Sequence, residues 1–404
     1  MHYKRNLYVL CLAIFLASAS WFQVMPFLPL FLHEMGVPKG LLFQWSGVIF
    51  SVQSLASIIT LPYWGKLGDR YGQKPMTLRA GFCLAGIYFG MSVCHTPLQL
   101  AVLRFLNGAL TGFIPGSIAL IATNTPGERA PGAVATAQTA SAVGQIVGPA
   151  IGGMLAGLLH YRGSMQASGA AVLFSTLLVW ALVREPHKAA APEKTSLVED
   201  FALALRSPVL ASIMVVLLVN GFFMAAVNPI LALHLKHISA HAPDWLTGMV
   251  FSLPAAAFVL SARRWSRLGE RIGYDRAIAL GLAGGALFAL GLAPVRSVWL
   301  FAPAFFCLGL CVAAIAPSAG AVICTRVPES FRGRAYAMQL SAATLGGLVA
   351  PVTATQVAAR LGVPSVFVGT GILYLAGAVG FRALVARWSE DALPEDDAAL
   401  PPTG

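Results

Sequence analysis

Arg104 is the charged residue that lies deepest inside an apolar part of this sequence, the run 98–123. If that run crosses a bilayer, an arginine well inside it costs about 2.5–3.5 kcal/mol to insert, so such a residue is a candidate functional site. Its planar guanidinium could bind a carboxylate or phosphate, or hold a water molecule that passes protons. Asn107, Gly108 and Thr111 follow at spacings that share its helix face. The alternative is a buried arginine that only donates to neighbouring backbone carbonyls.

A charged, glycine-rich segment, 65–74, joins two apolar runs in few residues. Gly68 and Gly72 are predicted to adopt backbone conformations that other residues resist. Asp69 lies among basic residues and near predicted helix ends, so it could form an ionic latch. The alternative is ordinary charge at a loop. An acidic residue followed by arginine recurs in the second half of the chain, which favours a latch that closes the cytoplasmic side. The candidate gating residues are Gly65, Gly68, Asp69, Arg70, Gly72, Lys74, Glu270 and Arg271.

Small residues recur at helical spacing in the run 135–159. Gly144, Gly148, Gly152 and Gly153 would let another helix approach closely. Pro149 removes a backbone donor and permits a kink. We interpret this pattern as a bend and a close helix contact that take part in a conformational change, and the alternative is simple dense packing.

Amide and aromatic side chains also recur on the apolar runs. Gln138 and Gln145 lie seven residues apart, and therefore on one face of a helix. A cavity of amides, aromatic rings and methionine suits small amphipathic molecules, which it holds by contact area rather than by one ionic contact. Each residue could instead make a hydrogen bond between helices. The candidates are Trp21, Gln23, Phe27, Gln53, Asn107, Gln138, Gln145, Asn220, Phe223, Asn228 and Gln339.

The composition indicates that membrane helices position these residues. The chain has 404 residues, of which 57% are hydrophobic and 11% are charged, less than half of the roughly 25% typical of a soluble domain. This excludes a soluble enzyme and a disordered chain. The formal net charge is +11, but apolar runs with few charges do not form a nucleic-acid surface, so we expect no nucleic-acid partner. The sequence lacks nucleotide, hydrolase and metal-ligand motifs, so we expect neither an enzyme nor a cofactor or metal.

Twelve apolar runs are long enough to cross a bilayer as helices. With both termini in the cytoplasm, 21 of the 27 Lys and Arg lie on that side, as the positive-inside rule requires. The first run is too long for a signal peptide and is expected to remain as a span. The runs are 6–32, 43–64, 76–94, 98–123, 135–159, 166–183, 209–235, 246–265, 277–293, 298–324, 335–359 and 363–385.

The two halves of the chain repeat each other at an offset of 201 residues. Residues 46–51 match 247–252, and residues 64–72 match 265–273. Parallel repeats of six spans are typical of two-lobed alternating-access transporters. We therefore predict an all-α membrane protein with twelve transmembrane helices in two pseudo-symmetric six-helix lobes. The expected units are an N-terminal lobe (1–183), a cytoplasmic linker (184–208) with a capping box at 196–199, a C-terminal lobe (209–388) and an acidic disordered tail (389–404).

Three motifs carry a resemblance to a known family. Residues 65–74 resemble the loop signature between the second and third spans of the major facilitator superfamily. Residues 144–155 match the fifth-span motif of its antiporters, and Pro26-Phe-Leu-Pro29 resembles the first-span signature of its twelve-span drug:proton antiporters. Over nearly its whole length, the chain resembles that branch of the superfamily.

The resemblance implies a proton-coupled secondary transporter that exports small amphipathic compounds by alternating access, as in multidrug efflux, driven by the proton gradient without a cofactor. It also implies that Arg104 is the fourth-span arginine linked to proton coupling. Because no Asp or Glu lies in the middle of a predicted span, the proton carrier must be Asp69, Glu34, a histidine, or water organised by Arg104.

The expected location is the bacterial inner membrane, with many spans and both termini in the cytoplasm. The expected partners are a small-molecule substrate, protons and the lipid bilayer, and the chain is expected to be a monomer. Alternatives are a sugar or metabolite exporter, an uptake symporter, or a non-transporting receptor of the same fold.

Overall fold

The described part of the chain forms helices joined by short turns. The computed structural model describes residues 2–185, 207–239, 242–327 and 329–386, so the predicted capping box and acidic tail lie outside the described residues. The helices are α1 (His2–Val24), α2 (Leu28–Glu34), α3 (Lys39–Tyr71), α4 (Gln73–Ser92), α5 (Pro97–Leu110), α6 (Phe113–Asn124), α7 (Ala130–Leu182), α8 (Pro208–Ile238), α9 (Asp244–Ile272), α10 (Tyr274–Leu292), α11 (Val298–Val312), α12 (Ile315–Arg326), α13 (Glu329–Leu361) and α14 (Val363–Val385).

α7 contains two antiparallel segments that meet at His160, where the backbone is not helical (φ 59°, ψ 174°). A straight helix of 53 residues would be about 80 Å long. Both ends of α7 nevertheless lie beside the start of α1. Just before α7, Arg129 donates to the Tyr3 hydroxyl, and just after it the Arg184 carbonyl accepts from Asn6. The chain therefore reverses at His160, between the predicted fifth and sixth spans.

Ten helices among the described residues are long and apolar enough to cross a membrane. Division of α7 at His160 and inclusion of the 20-residue α4 would raise this number to the predicted twelve. The predicted all-helical, multi-pass membrane fold is confirmed, and the exact number of spans stays a prediction.

Most of the buried apolar side chains cluster within one half of the chain or the other. One large cluster contains only residues from 209 to 381. Two further clusters, which together cover residues 10 to 183, belong to the first half. A fourth, small cluster joins the two halves through Phe27, Leu30, Ala156 and Ala232. We call the two halves the N-lobe and the C-lobe, and their predicted bounds stay a prediction.

The fourth and tenth predicted spans are each broken into two helices, which the hydropathy pattern did not predict. The breaks lie between α5 and α6, where Gly112 has a φ of 134°, and between α11 and α12. Beside the first break, the Trp64 indole donates to the Ala109 carbonyl (2.6 Å). Beside the second, Trp265 donates to the Leu310 carbonyl (2.7 Å). Both pairs are related by the offset of 201 residues, so the sequence repeat recurs in three dimensions.

Candidate functional site

The two lobes meet at the end of the molecule that the predicted topology places outside, which we call the outer end. Gly47 of α3 packs against α13, and Gly248 of α9 packs against the Pro149 carbonyl of α7, so closely that a methyl group on either glycine would overlap its neighbour. The Ser51 hydroxyl donates to the Leu348 carbonyl across the same contact (3.0 Å). Positions 47 and 248 are equivalent in the repeat. We call these contacts the outer seam.

Next to the outer seam, both lobes line a cavity of about 540 Å³, which we call the central cavity. None of the described residues that line it is charged. Of the predicted cavity residues, Gln145, Phe223 and Asn228 lie in its wall. Phenyl rings and thioethers provide contact area, and the two amides can orient a polar group. The aromatic, methionine and amide lining residues are Phe22, Met25, Gln145, Phe223, Met224, Asn228, Phe251, Phe258 and Phe305.

Arg104 lies directly behind the wall of the central cavity and is 2% exposed. Its Nη2 lies 3.3 Å from the sulfur of Met25, which lines the cavity, and its Nε donates to the Ile49 carbonyl (3.3 Å). Its guanidinium carbon is 5.9 Å from the Trp21 ring centre and 5.4 Å from that of Phe50. In the described part of the chain no carboxylate forms a salt bridge with it. Aromatic rings and a carbonyl therefore hold the charge, rather than an opposite charge.

Two buried amides beside Arg104 carry atoms that no described residue hydrogen-bonds. Asn107 is fully buried, and neither atom of its amide group has a partner among these residues. The Gln53 side-chain oxygen is in the same situation. Gly108 packs against the Gln53 backbone and so brings the two helices together. A buried polar atom without a partner is costly, so these amides are where water or a polar ligand atom would bind near Arg104.

Two other predicted cavity residues form hydrogen bonds between helices, which was the alternative interpretation. Gln23 donates to the Ser164 carbonyl (2.9 Å) and so joins α1 to the second half of α7. Asn220 accepts from the Tyr374 hydroxyl (3.1 Å) and joins α8 to α14. Both bonds lie within one lobe.

The remaining predicted cavity residues lie away from the central cavity wall. Phe27 is buried and stacks on Tyr161 with ring centres 6.0 Å apart. Gln138 is exposed on the first half of α7. The buried side-chain oxygen of Gln339 has no partner among the described residues.

The glycines of α7 face two different neighbours. Gly144, Gly148 and Gly152 pack against the backbone of α1 in the same lobe. Gly153 instead packs against the first residues of α9 in the C-lobe, and the Pro149 carbonyl meets α9 one turn away. The segment therefore connects α1 within the N-lobe to α9 across the outer seam.

The two glycines of the 65–74 segment differ in conformation. Gly72 has a φ of 102°, as predicted, and its repeat partner Gly273 has a φ of 97°. The prediction for Gly68 was wrong, because α3 continues to Tyr71 and only the residue after its end needs a positive φ. Gly68 is a helical, buried residue that packs against the Gln73 side chain.

Glu185 is an unpredicted partner of the 65–74 segment. The backbone N–H groups of Gln73 and Lys74 donate to its carboxylate (2.7 and 3.0 Å), where the dipole of α4 favours an anion. The Lys74 ammonium donates to the Trp180 carbonyl (3.0 Å). The Asp69 side chain lies outside the described atoms, so the ionic latch stays a prediction. The exposed members of the candidate gating set are Gly65, Arg70, Glu270 and Arg271.

The described carboxylates lie near helix ends. Glu34 ends α2, Asp244 begins α9 and Asp275 lies in the first turn of α10. Glu34 is exposed and lines a second cavity, of about 1310 Å³, at the outer end. Glu34 is not among the residues that line the central cavity.

The aromatic and methionine lining residues that sequence reasoning missed are Phe22, Met25, Met224, Phe251, Phe258 and Phe305. Met25 precedes Pro26, whose presence in the first span signalled an interruption, and it forms a short 3-10 turn there. Phe305 is the repeat partner of Arg104, so the repeat alone could have placed it at the same level of the C-lobe.

Known proteins match this chain over most of its length. A sequence profile of the Major Facilitator Superfamily matches residues 10–295 and 213–403. The multidrug resistance protein MdtG of Enterobacter lignolyticus (strain SCF1) is 30% identical over 401 residues, which cover 98% of this chain and 96% of that protein. MdtG of Salmonella paratyphi C (strain RKS4594) is 31% identical over 388 residues, with 95% of each covered.

Solved transporter structures share the fold. A bacterial homologue of the human lysosomal transporter Spinster, inward-facing and unoccupied, superimposes with a TM-score of 0.80 at 13% identity and covers 100% of this chain and 99% of its own. The nucleoside transporter NupG gives a TM-score of 0.79 at 15% identity, with coverages of 95% and 99%. Together with the profile match and the curated relatives, the two-lobed helical fold identifies this chain as a multi-pass membrane transporter of the Major Facilitator Superfamily.

Proposed function

We propose that this chain is a proton-coupled secondary transporter that exports small amphipathic compounds across the bacterial inner membrane by alternating access. It acts as a monomer with both termini in the cytoplasm. The observation that carries the proposal is the uncharged aromatic cavity between two lobes, with an arginine buried directly behind its wall. The relatives named multidrug resistance protein, which align over nearly the whole chain, support the same class of substrate.

The central cavity favours neutral and anionic amphipathic compounds over lipophilic cations. Five phenylalanines and two methionines supply contact area, and Gln145 and Asn228 supply the polar contacts. The described lining offers no carboxylate to balance a bound cation. Arg104 lies behind Met25 in a surrounding of low dielectric, where its repulsion of a cation is weakly screened.

Proton coupling is assigned to Arg104 and its neighbouring amides. The guanidinium can orient water, and the unpartnered atoms of Asn107 and Gln53 offer further donors and acceptors beside it. Water held between these groups would connect the arginine to the cavity. Asp69 and Glu34 remain the candidate carboxylates of the proton path.

The test is reconstitution of the protein in proteoliposomes under an imposed pH gradient, with matched cationic, neutral and anionic aromatic compounds. The expected result is gradient-driven movement of the neutral and anionic members, with proton flux in the opposite direction. Proton and substrate movement in the same direction would identify an uptake symporter. Transport of sugars but not of the amphipathic compounds would identify the sugar alternative, and binding without counterflow would identify a receptor.

A further inference from the structure

A polar contact joins the two lobes beside the outer seam. The Tyr161 hydroxyl, in the second half of α7, donates to Asp244 Oδ2 (3.3 Å) at the start of α9. Asp244 Oδ1 lies 2.8 Å from the Lys236 ammonium, near the end of α8. Tyr161 belongs to the N-lobe, whereas the other two residues belong to the C-lobe. The contact thus combines a hydrogen bond between the lobes with a salt bridge inside the C-lobe.

Each side of the contact is held in place within its own lobe. The Tyr161 ring stacks on Phe27, which is 2% exposed. Lys236 also donates to the Ala242 carbonyl (2.7 Å), so its ammonium is fixed above the start of α9. Asp244 lies in the first turn of α9, where the helix dipole favours a negative charge. Phe27 and Tyr161 also belong to a small apolar cluster that includes Ala232 of the C-lobe, so apolar packing between the lobes surrounds the polar contact.

The location of the contact gives it a role in closure rather than in folding. The backbone of Asp244 is where Gly153 approaches from the N-lobe, so the carboxylate lies at the seam itself. Separation of the lobes would break the bond from Tyr161, while the pair of Lys236 and Asp244 would stay together in the C-lobe. The Asp244 carboxylate therefore stays paired when the outer end opens, which keeps the free-energy cost of opening low.

We propose that Tyr161, Asp244 and Lys236 form an outer latch that stabilises the closed state of the outer end. The proposal rests on the proposed alternating-access function. Lys236 orients the carboxylate, and Tyr161 supplies the donor that crosses between the lobes. Loss of either the hydroxyl or the carboxylate charge shifts the protein towards a state with its outer end open.

The test measures the separation of the lobes directly. Spin labels at positions 95 and 296, exposed outer residues that are equivalent in the repeat, report the distance between the lobes in a cysteine-free background in lipid. We expect Tyr161→Phe to raise the ratio of open to closed molecules by about tenfold, as the loss of one hydrogen bond to a charged group allows. Asp244→Asn should raise the ratio by a smaller factor, because its amide oxygen still accepts from the Tyr161 hydroxyl but carries no negative charge. Because both substitutions act on the same bond, the double variant should open no further than Tyr161→Phe alone.

Matched controls separate the latch from general effects of the substitutions. Tyr63→Phe removes an exposed hydroxyl, and Asp275→Asn neutralises another first-turn carboxylate, so both should keep the parent distance distribution. A parent-like distribution in Tyr161→Phe, or additive effects of Tyr161→Phe and Asp244→Asn, would overturn the latch. If substrate and a pH gradient change the distance in the parent while Tyr161→Phe has no effect, the transport proposal stands without the latch. If Tyr161→Phe opens the outer end of a protein that shows no gradient-driven transport, the latch stands and proton coupling is wrong.

Discussion

Substitution of Gly248 by alanine should open the outer end without unfolding either lobe. In the structure, the added methyl carbon would lie 2.8 Å from the Pro149 carbonyl carbon and still closer to its oxygen. Contacts between carbon atoms are favourable at about 3.5–4.0 Å, so the two helices must separate by about 1 Å. The overlap lies between the lobes, and therefore a rigid movement of one lobe can relieve it.

The size of the effect follows from the cost of overpacking. Added methyl groups in close-packed contacts cost roughly 1–3 kcal/mol, and a cost of about 2 kcal/mol to the closed state would shift the equilibrium about thirtyfold. Gly47→Ala, at the equivalent position of the repeat, should act in the same direction because its methyl group would meet Thr355. The assay is the distance between labels at positions 95 and 296, together with thermal unfolding in detergent.

Two other glycines provide the contrast. Gly148→Ala would place a methyl carbon 2.5 Å from the Ala19 carbonyl within the N-lobe, so it should lower the unfolding temperature instead of opening the outer end. Gly86→Ala, with no atom within 4 Å, should change neither property. The reasoning would be refuted if Gly248→Ala kept the parent distance distribution, or if it destabilised the protein as Gly148→Ala does.

Three further predictions concern the 65–74 segment, the two helix breaks and the central cavity. Asp69→Asn should abolish transport at an unchanged level of membrane insertion, because it removes the charge of the proposed ionic latch, and transport at the parent rate would contradict this. Trp64→Phe and Trp265→Phe should each lower the free energy of unfolding by about 1–3 kcal/mol, because each leaves a backbone carbonyl without its hydrogen bond. Thermal unfolding measures this against the exposed control Trp299→Phe, and an unchanged unfolding temperature would show that the two indoles do not stabilise the helix breaks. Asn228→Asp should raise the export of cationic relative to neutral compounds, since it places a carboxylate in the cavity wall, and an unaltered ratio would show that wall charge does not select substrates.

The sequence predicted the helical membrane fold and its duplication because both depend on long patterns. Apolar runs of about 20 residues predict the membrane spans, and the match of residues 64–72 with 265–273 indicates the repeat. The breaks between α5 and α6 and between α11 and α12 escaped detection, because hydropathy does not register a change of backbone direction. Gly112 was a local signal for the first break, and Pro317, in the first turn of α12, was a local signal for the second.

The candidate site could be predicted only where residue type itself is unusual. A lone arginine in an apolar run is conspicuous, so Arg104 was found from the sequence. Which amides face the cavity depends on helix rotation and on neighbours far along the chain, so Gln145 and Asn228 could not be distinguished from Gln23 and Asn220. The contact of Glu185 with Gln73 and that of Asp244 with Tyr161 join residues more than 80 positions apart, and no local sequence pattern predicts them.

The most direct test of the central claim compares the parent with Arg104→Gln and Arg104→Lys in proteoliposomes. Two quantities are measured for one neutral aromatic substrate: uptake driven by an imposed pH gradient, and counterflow without a gradient. The account predicts that Arg104→Gln loses the response to the gradient but retains counterflow, and that Arg104→Lys recovers the response only partly because the planar fork is lost. A gradient response in Arg104→Gln equal to that of the parent would contradict the account.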